Sequence, residues 1–390
     1  MPKRNPAVRP LGDGLFTGLL RLVRLDENSA QGVRRRVVVV ALLAWLPLLL
    51  LVTAQGQLLR AAVPFVRDIE VHVRLLVVIP LLLVAEVEAR NFLPTVVQEF
   101  PQRNLLPAGA MARYEAAVAA ASRLRNSAWA EAVLIVLVYV VFMGIIWRHY
   151  GSLYASTWYA ATTSEGTKLT PAGYWYVFVS LPIVQFLLLR WYLWIFAWVR
   201  FLWKVSRIRL DLMATHPDRA GGLGFLESSG HIFGMVAVAH GAVAAGPIAS
   251  LILFRGAALP EFADELAMVV AWVIFVVFGP LLFFAPQLVA AKKAGLFEYG
   301  RLAERYVREF RGKWLDSRTR TDEALIGSAD IQSLADLGNA YGVVEGMRLA
   351  PISYIAAIRL AAMTLIPAAP LLLTMVPFNE LVLKLFSIAL

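Results

Sequence analysis

A chain of 390 residues with 59% hydrophobic and 16% charged residues and a mean hydropathy of +0.66 is not composed like two or three soluble domains; it reads as a protein that crosses a membrane repeatedly. With no cysteine, it has no disulfide framework, no thiolate metal site and no cysteine nucleophile, and no cofactor is expected. The formal charge of +10 is compatible with nucleic acid or with basic loops on one side of a bilayer, so its distribution has to decide.

Segment 1–36 carries Lys3, Arg4, Arg9, Arg21, Arg24, Arg34, Arg35 and Arg36. No apolar run is placed to make a cleaved signal peptide, so this segment is expected in the cytoplasm. Within it, apolar residues over 15–23 recur at helical spacing around Arg21 and Arg24, which predicts a short helix in the headgroup region. Apolar runs then predict spans over 37–52, 71–88 and 128–147, because an α-helix crosses ~30 Å of hydrocarbon in about 20 residues. The second of these is the weakest, since it runs into Glu86 and Glu88. Between it and the third lies an Ala-rich stretch, 110–125, expected as a surface helix.

The link 148–171 is poor in basic residues and reads as external, with Tyr150, Tyr154, Trp158 and Tyr159 suited to an interfacial aromatic belt. Spans over 174–203, 231–254 and 268–290 follow. The first pair of these is separated by the loop 204–230, KVSRIRLDLMATHPDRAGGLGFLESSG, the longest glycine-rich polar interruption in the chain. Region 291–350 is the largest polar segment. There Leu296, Tyr299, Leu302, Tyr306, Phe310 and Trp314 form a helical stripe, and Ile331, Leu334, Leu337, Tyr341 and Val344 form another, with Asp330 as its N-cap. The last span covers 352–375, ahead of a tail at 378–390. Twenty-eight of the 37 Lys and Arg residues fall in links on one side of this layout and five on the other. The charge therefore orients the chain, and nucleic acid is excluded as a partner. The expectation is an all-α polytopic membrane protein of seven spans, N-terminus cytoplasmic and C-terminus outside.

Several residues are candidates for chemistry. Arg190 stands deep in the fourth span, where a guanidinium costs at least ~2.5 kcal/mol and needs a partner; Glu86 and Glu88 are nearest by depth. His240 and Arg359 are the other intramembrane polar groups, and His240 is expected as a hydrogen-bonded packing residue. In the loop, His216, Asp218, Arg219, Gly221, Gly222 and Gly224 form a turn. It is read either as a docking turn or as an anion nest in which Arg219 and bare amides hold a phosphate or lipid headgroup. His216, Asp218 and His231 also offer a weak metal-ligand pattern. Asp211, Asp218 and Arg219 are expected to meet charges such as Asp330, Asp336 or Glu345. His-Pro-Asp-Arg occurs in J-domains too, but a tetrapeptide held between two spans does not fit a soluble helical hairpin. Prolines 80, 182, 247, 280, 286, 367 and 370 should each disturb a span.

Two stretches, ATHPDRAGGLGFLES over 214–228 and ADIQSLADLGNAYGVVEGMRLAP over 329–351, resemble signatures of a bacterial family of multi-span inner-membrane proteins. That resemblance implies localisation and architecture but no activity. The layout of seven spans with long cytoplasmic helices before the last is similar to that of the insect odorant and gustatory receptor channels, although their C-terminal signature does not occur in the last span here. The leading functional expectation is an oligomeric, channel-like protein passing an ion or binding a small ligand. In it spans five to seven surround a path, and loop 204–230 docks on the region after span six. The alternatives are a membrane enzyme or lipid-handling protein acting on a phosphate headgroup at the inner leaflet, and a sensor recruiting a cytoplasmic partner through residues 296–347. The partners expected are the lipid bilayer and further copies of the chain.

Overall fold

The computed structural model describes residues 15, 16, 18, 29–59, 64–142, 144, 157–163, 166–316, 324 and 327–375. Most of the expected headgroup helix over 15–23, Tyr150, Tyr154 and the tail 378–390 lie outside these residues. The described chain is all-α apart from one hairpin. Helix α1 is Ala30–Ala54. Helix α2 joins Ile69–Val73, Arg74–Val78 and Ile79–Gln102 end to end. Helix α3 is Met111–Arg125, and α4 is Ala128–Leu137 extended by Val138–Phe142. Strands β1, Ala160–Thr163, and β2, Gly166–Leu169, pair antiparallel with Ala160 opposite Leu169. Helix α5 is Pro171–Ser206, α6 is Gly234–Arg255, α7 is Leu259–Leu315 and α9 is Tyr354–Thr374. Between the last two, α8 is Ala329–Glu345.

Hydroxyl side chains start many of these helices, because each satisfies an amide that the first turn leaves open. Ser29 Oγ accepts from Gly32 N at 3.0 Å, Ser127 Oγ from Ala130 N at 3.2 Å, Thr170 Oγ1 from Gly173 N at 3.0 Å and Ser353 Oγ from Ala356 N at 3.1 Å. For α8 the cap is Ser328, whose Oγ accepts from Asp330 N at 3.1 Å, so the expected cap moves two residues back. Asp330 instead binds Lys313 Nζ at 2.8 Å and Trp314 Nε1 at 2.9 Å, which ties α8 to α7. The prolines are absorbed at segment starts. Pro80 and Pro182 follow five-residue π-type turns, Arg74–Val78 and Tyr176–Ser180, and Pro280 opens the tight turns of Gly279–Phe284. A missing proline N–H costs least where the hydrogen-bond spacing is already changing.

Five helices, α1, α5, α6, α7 and α9, are long and apolar enough to cross a membrane, so this is an all-α membrane protein; seven such spans are not found among the described residues. The second expected span falls short because Arg74, Glu86, Glu88 and Arg90 interrupt its apolar run within α2. The third is described only as the shorter apolar helix Ala128–Val140. The sixth span and the first polar stripe are one helix: α7 has 57 residues, ~85 Å at helical rise. Its second half leaves the apolar bundle and packs on α8 through Leu296, Tyr299, Tyr306 and Phe310, whereas Leu302 at 39% and Ile331 at 46% exposure face outward, off the packed stripe.

The faces sort by helical period. On α1, Ala44, Leu48 and Val52 are fully buried, while Val38, Leu42, Leu46 and Leu50 lie four apart on an exposed apolar stripe suited to lipid. The core lies where α2 meets α5. Phe100 gathers Tyr114, Phe201, Phe225 and Phe284 with ring centroids 5.1–6.4 Å away. The Ala-rich α3 is not a free surface helix, since Tyr114, Ala117 and Ala120 are buried against this core. Trp158 is not in an interfacial belt either; it is fully buried, donates to Asp68 Oδ2 at 2.8 Å and stacks edge-on against Phe65. Helices α6 and α9 touch backbone to backbone. A Cβ on Gly241 would stand 1.8 Å from the Thr364 carbonyl oxygen, so only glycine permits this crossing.

Candidate functional site

Between α5 and α6 the chain turns on the Asp218 carboxylate. Oδ1 accepts from Ala220 N at 2.8 Å and Gly222 N at 3.2 Å, Oδ2 accepts from Gly224 N at 2.8 Å, and His216 Nδ1 lies 2.9 Å from Oδ1. Burial works against the charge of this group, but the three amides and the imidazole outweigh it and hold Asp218 below the usual carboxylate range. Gly221 and Gly222 take φ of +64° and +96°, and a Cβ on Gly224 would meet Asp218 at 2.8 Å. The loop is thus a nest, but its anion is its own. The amides of Gly222 and Gly224 are not free for an external phosphate, and Arg219 is exposed rather than turned onto them. Nor do Asp211, Asp218 and Arg219 pair with Asp330, Asp336 or Glu345 among the described residues, since Asp218 and Asp330 have the other partners given above.

The two quoted stretches meet here. Arg348, in the turn between α8 and α9, donates through its backbone N–H to Arg219 O at 2.7 Å and through Nη2 to Asp218 O at 2.8 Å. Its Nη1 lies 3.3 Å from Glu227 Oε2. Glu227 also accepts from the Ser353 amide at 3.1 Å and hydroxyl at 2.6 Å, so it fixes the first residues of α9. From the other side α7 holds the loop: Gln287 accepts from Leu210 N at 2.9 Å and donates to Ser206 O and Ile208 O, and Lys292 Nζ donates to Met347 O at 3.0 Å.

This clamp frames a cavity of about 320 Å³ with a polar wall of Asp218, Glu227, His231, Arg348 and Arg359 and an apolar wall that includes Leu360 and Met363. Its hydrogen-bonding is unequal. Asp218 is spent on backbone amides and His216, and Glu227 and Arg348 are spent on each other and on the chain. Arg359, on the second turn of α9, reaches only His231 Nε2, at 2.7 Å, and makes no ion pair among the described residues. A guanidinium is only a donor, so Nε2 must accept and the imidazole proton sits on Nδ1. The cavity therefore holds one cation whose charge no carboxylate offsets.

Arg190 is its opposite. It is 5% exposed and forks onto Glu86, with Nη1–Oε2 at 2.6 Å and Nη2–Oε1 at 3.1 Å, while Nε reaches Glu131 Oε1 at 2.7 Å. Arg90 binds Glu86 at 2.6 Å, so two arginines balance two glutamates. Phe16 and Trp194 cover the guanidinium at 4.9 and 5.3 Å. Glu88 is exposed and takes no part; the second acid is Glu131, in the first turn of α4, where an acid also suits the helix dipole. The group lies level with the start of α4, not at mid-helix depth in every element. His240 sits in a one-way chain: Nδ1 donates to Val236 O at 2.7 Å, Nε2 accepts from Tyr192 Oη at 2.7 Å, and that oxygen accepts from Trp272 Nε1 at 3.0 Å.

His216, Asp218 and His231 do not converge on a metal, and no group of three His, Asp or Glu residues among the described ones does. Reading residues alone missed Glu131, Glu227, His231 as a partner of Arg359, and Arg348. Signals were present for two of these, since Glu131 follows a Ser cap at the right spacing for an acidic first turn and Arg348 lies inside the second quoted stretch. Comparison with family models, with curated proteins and with solved structures gave no match.

Proposed function

We propose that this is a multi-span protein of a bacterial inner membrane that binds an anionic amphiphile at the inner leaflet, in the cavity between loop 204–230 and α9. The observation that carries the reading is Arg359, whose charge faces a cavity in which every acid is already engaged. An arginine that only snorkelled would gain its stabilisation from water; here it is held on a neutral imidazole, beside both polar and apolar walls. A phosphate or carboxylate would add the charge-assisted bonds that Arg359 lacks, and Leu360 and Met363 would take the adjoining hydrocarbon. The role is binding or lipid handling, with His231 and Arg359 orienting the head.

The test is the unfolding midpoint of the full chain in nanodiscs of phosphatidylcholine, with phosphatidylglycerol or inorganic phosphate added in separate arms. A ligand present at 100 times its Kd stabilises by about 2.7 kcal/mol, so a rise in the midpoint that vanishes in Arg359→Gln is expected. Response to the lipid alone makes the ligand a headgroup; response to both makes it phosphate. No response in wild type removes the reading.

A second reading, an oligomeric channel, is favoured by α9, whose most apolar window is only 17% buried within one chain. Copies meeting through this face would cover Ile355, Ile358 and Leu373, exposed at 53–63%. Crosslinking in native membranes and ion flux in planar bilayers separate it from the first.

A further inference from the structure

Helices α2, α3 and α5 enclose a second cavity of about 100 Å³, far more apolar than the first, walled by Leu93, Val97, Ala121, Trp194, Trp198 and Phe201 with Arg125 at its edge. Trp194 and Trp198 are four apart on α5 and each is 5% exposed. Neither indole Nε1–H has an acceptor. Other buried tryptophans of this chain do, since Trp158 donates to Asp68 and Trp191 to Leu82 O at 3.0 Å. A buried donor left unpaired costs about 1–3 kcal/mol, so two on one wall are a standing demand for acceptor oxygens.

Charge points the same way. Trp194 has three guanidinium groups over its ring, those of Arg125 at 5.2 Å, Arg190 at 5.3 Å and Arg90 at 5.9 Å. Glu86 and Glu131 neutralise Arg190 and Arg90. Arg125 hydrogen-bonds the Asn126 side chain at 3.3 Å and makes no ion pair among the described residues. The occupant that fits is apolar along most of its length and carries oxygens that accept hydrogen bonds beside a cation. We infer that this crevice is a binding site for an acyl chain, its carboxylate or ester oxygens set against the Trp194 and Trp198 N–H groups and Arg125. The site stands apart from the Arg359 cavity and does not depend on what binds there.

Native mass spectrometry of the full chain in detergent tests it, with oleate and phosphatidylglycerol titrated in separate arms. At least one should be retained in a saturable, one-per-chain manner, and Ala121→Phe, which fills the crevice, should abolish retention. Retention of oleate alone makes the ligand a free fatty acid; retention of the phospholipid makes it a membrane lipid. Trp198→Phe keeps the ring and removes one N–H. It should weaken binding about 3- to 10-fold, as loss of one neutral hydrogen bond does, while the unliganded variant unfolds no earlier than wild type because an unpaired donor has gone. Failure to retain either probe, or retention undiminished in both variants, overturns the inference.

Discussion

Arg190 and Arg359 both stand in apolar helices, yet the structure treats them in opposite ways. Arg190 is closed in by two carboxylates, two aromatic rings and a second arginine that restores neutrality. Arg359 has one neutral imidazole and a cavity. A buried charge whose every donor is matched holds helices together; a charge left without a counter-ion is available to something outside the chain. The difference separates a lock from a binding group where residue type and hydropathy make them alike.

Breaking the lock should be the costlier change. Glu86→Ala strands Arg190 and Arg90 in a dry site, and loss of one partner from a buried pair costs about 3–5 kcal/mol, read as a large fall in the unfolding midpoint in detergent. Gly241→Val drives side-chain atoms into the Thr364 carbonyl and should cost about 1–3 kcal/mol by overpacking, with α6 and α9 separating in a crosslinking assay. Asp218→Asn comes next, at about 1–2 kcal/mol, because an amide cannot accept all the bonds the carboxylate does.

The same carboxylate makes the loop acid-sensitive. Its folded value lies below the ordinary 3.8, so its contribution is present above that pH and is lost as the pH falls through the lowered value. Hydrogen exchange at Gly222 and Gly224 should rise in that window in wild type and be high at all pH in Asp218→Asn. The smallest expected effect on stability is that of Arg359→Gln, within about 0.5 kcal/mol of wild type, although it should remove anion binding. An equal loss of stability from Arg359→Gln and Glu86→Ala would erase the contrast between the two arginines.

Much of the fold was legible because lipid imposes a length and a polarity on any helix that crosses it. The run 37–52, the long span ending near Trp203 and the helix continuing past residue 290 all have counterparts in α1, α5 and α7. The count of seven failed where α2 carries Glu86, Glu88 and Arg90, because windowed hydropathy does not distinguish an interrupted span from a buried ionic group. The candidate site was legible in part. The importance of loop 204–230 showed in its glycines, but its acid was read as a pairing charge for a distant helix when it is the anion that the glycine amides fold around. Glu131 and Arg348 lie 59 residues from Arg190 and 121 from Glu227, and no local pattern encodes a hydrogen bond over that separation.

Composition and period by themselves determined that this chain is helical, that it belongs in a membrane and which helix faces are apolar, because those properties are summed residue by residue along one strand of sequence. Which arginine is neutralised, which glycine amides are occupied and which indoles lack acceptors were decided only when α2, α4, α5 and α9 came together, because hydrogen bonding and charge balance are properties of neighbours in space.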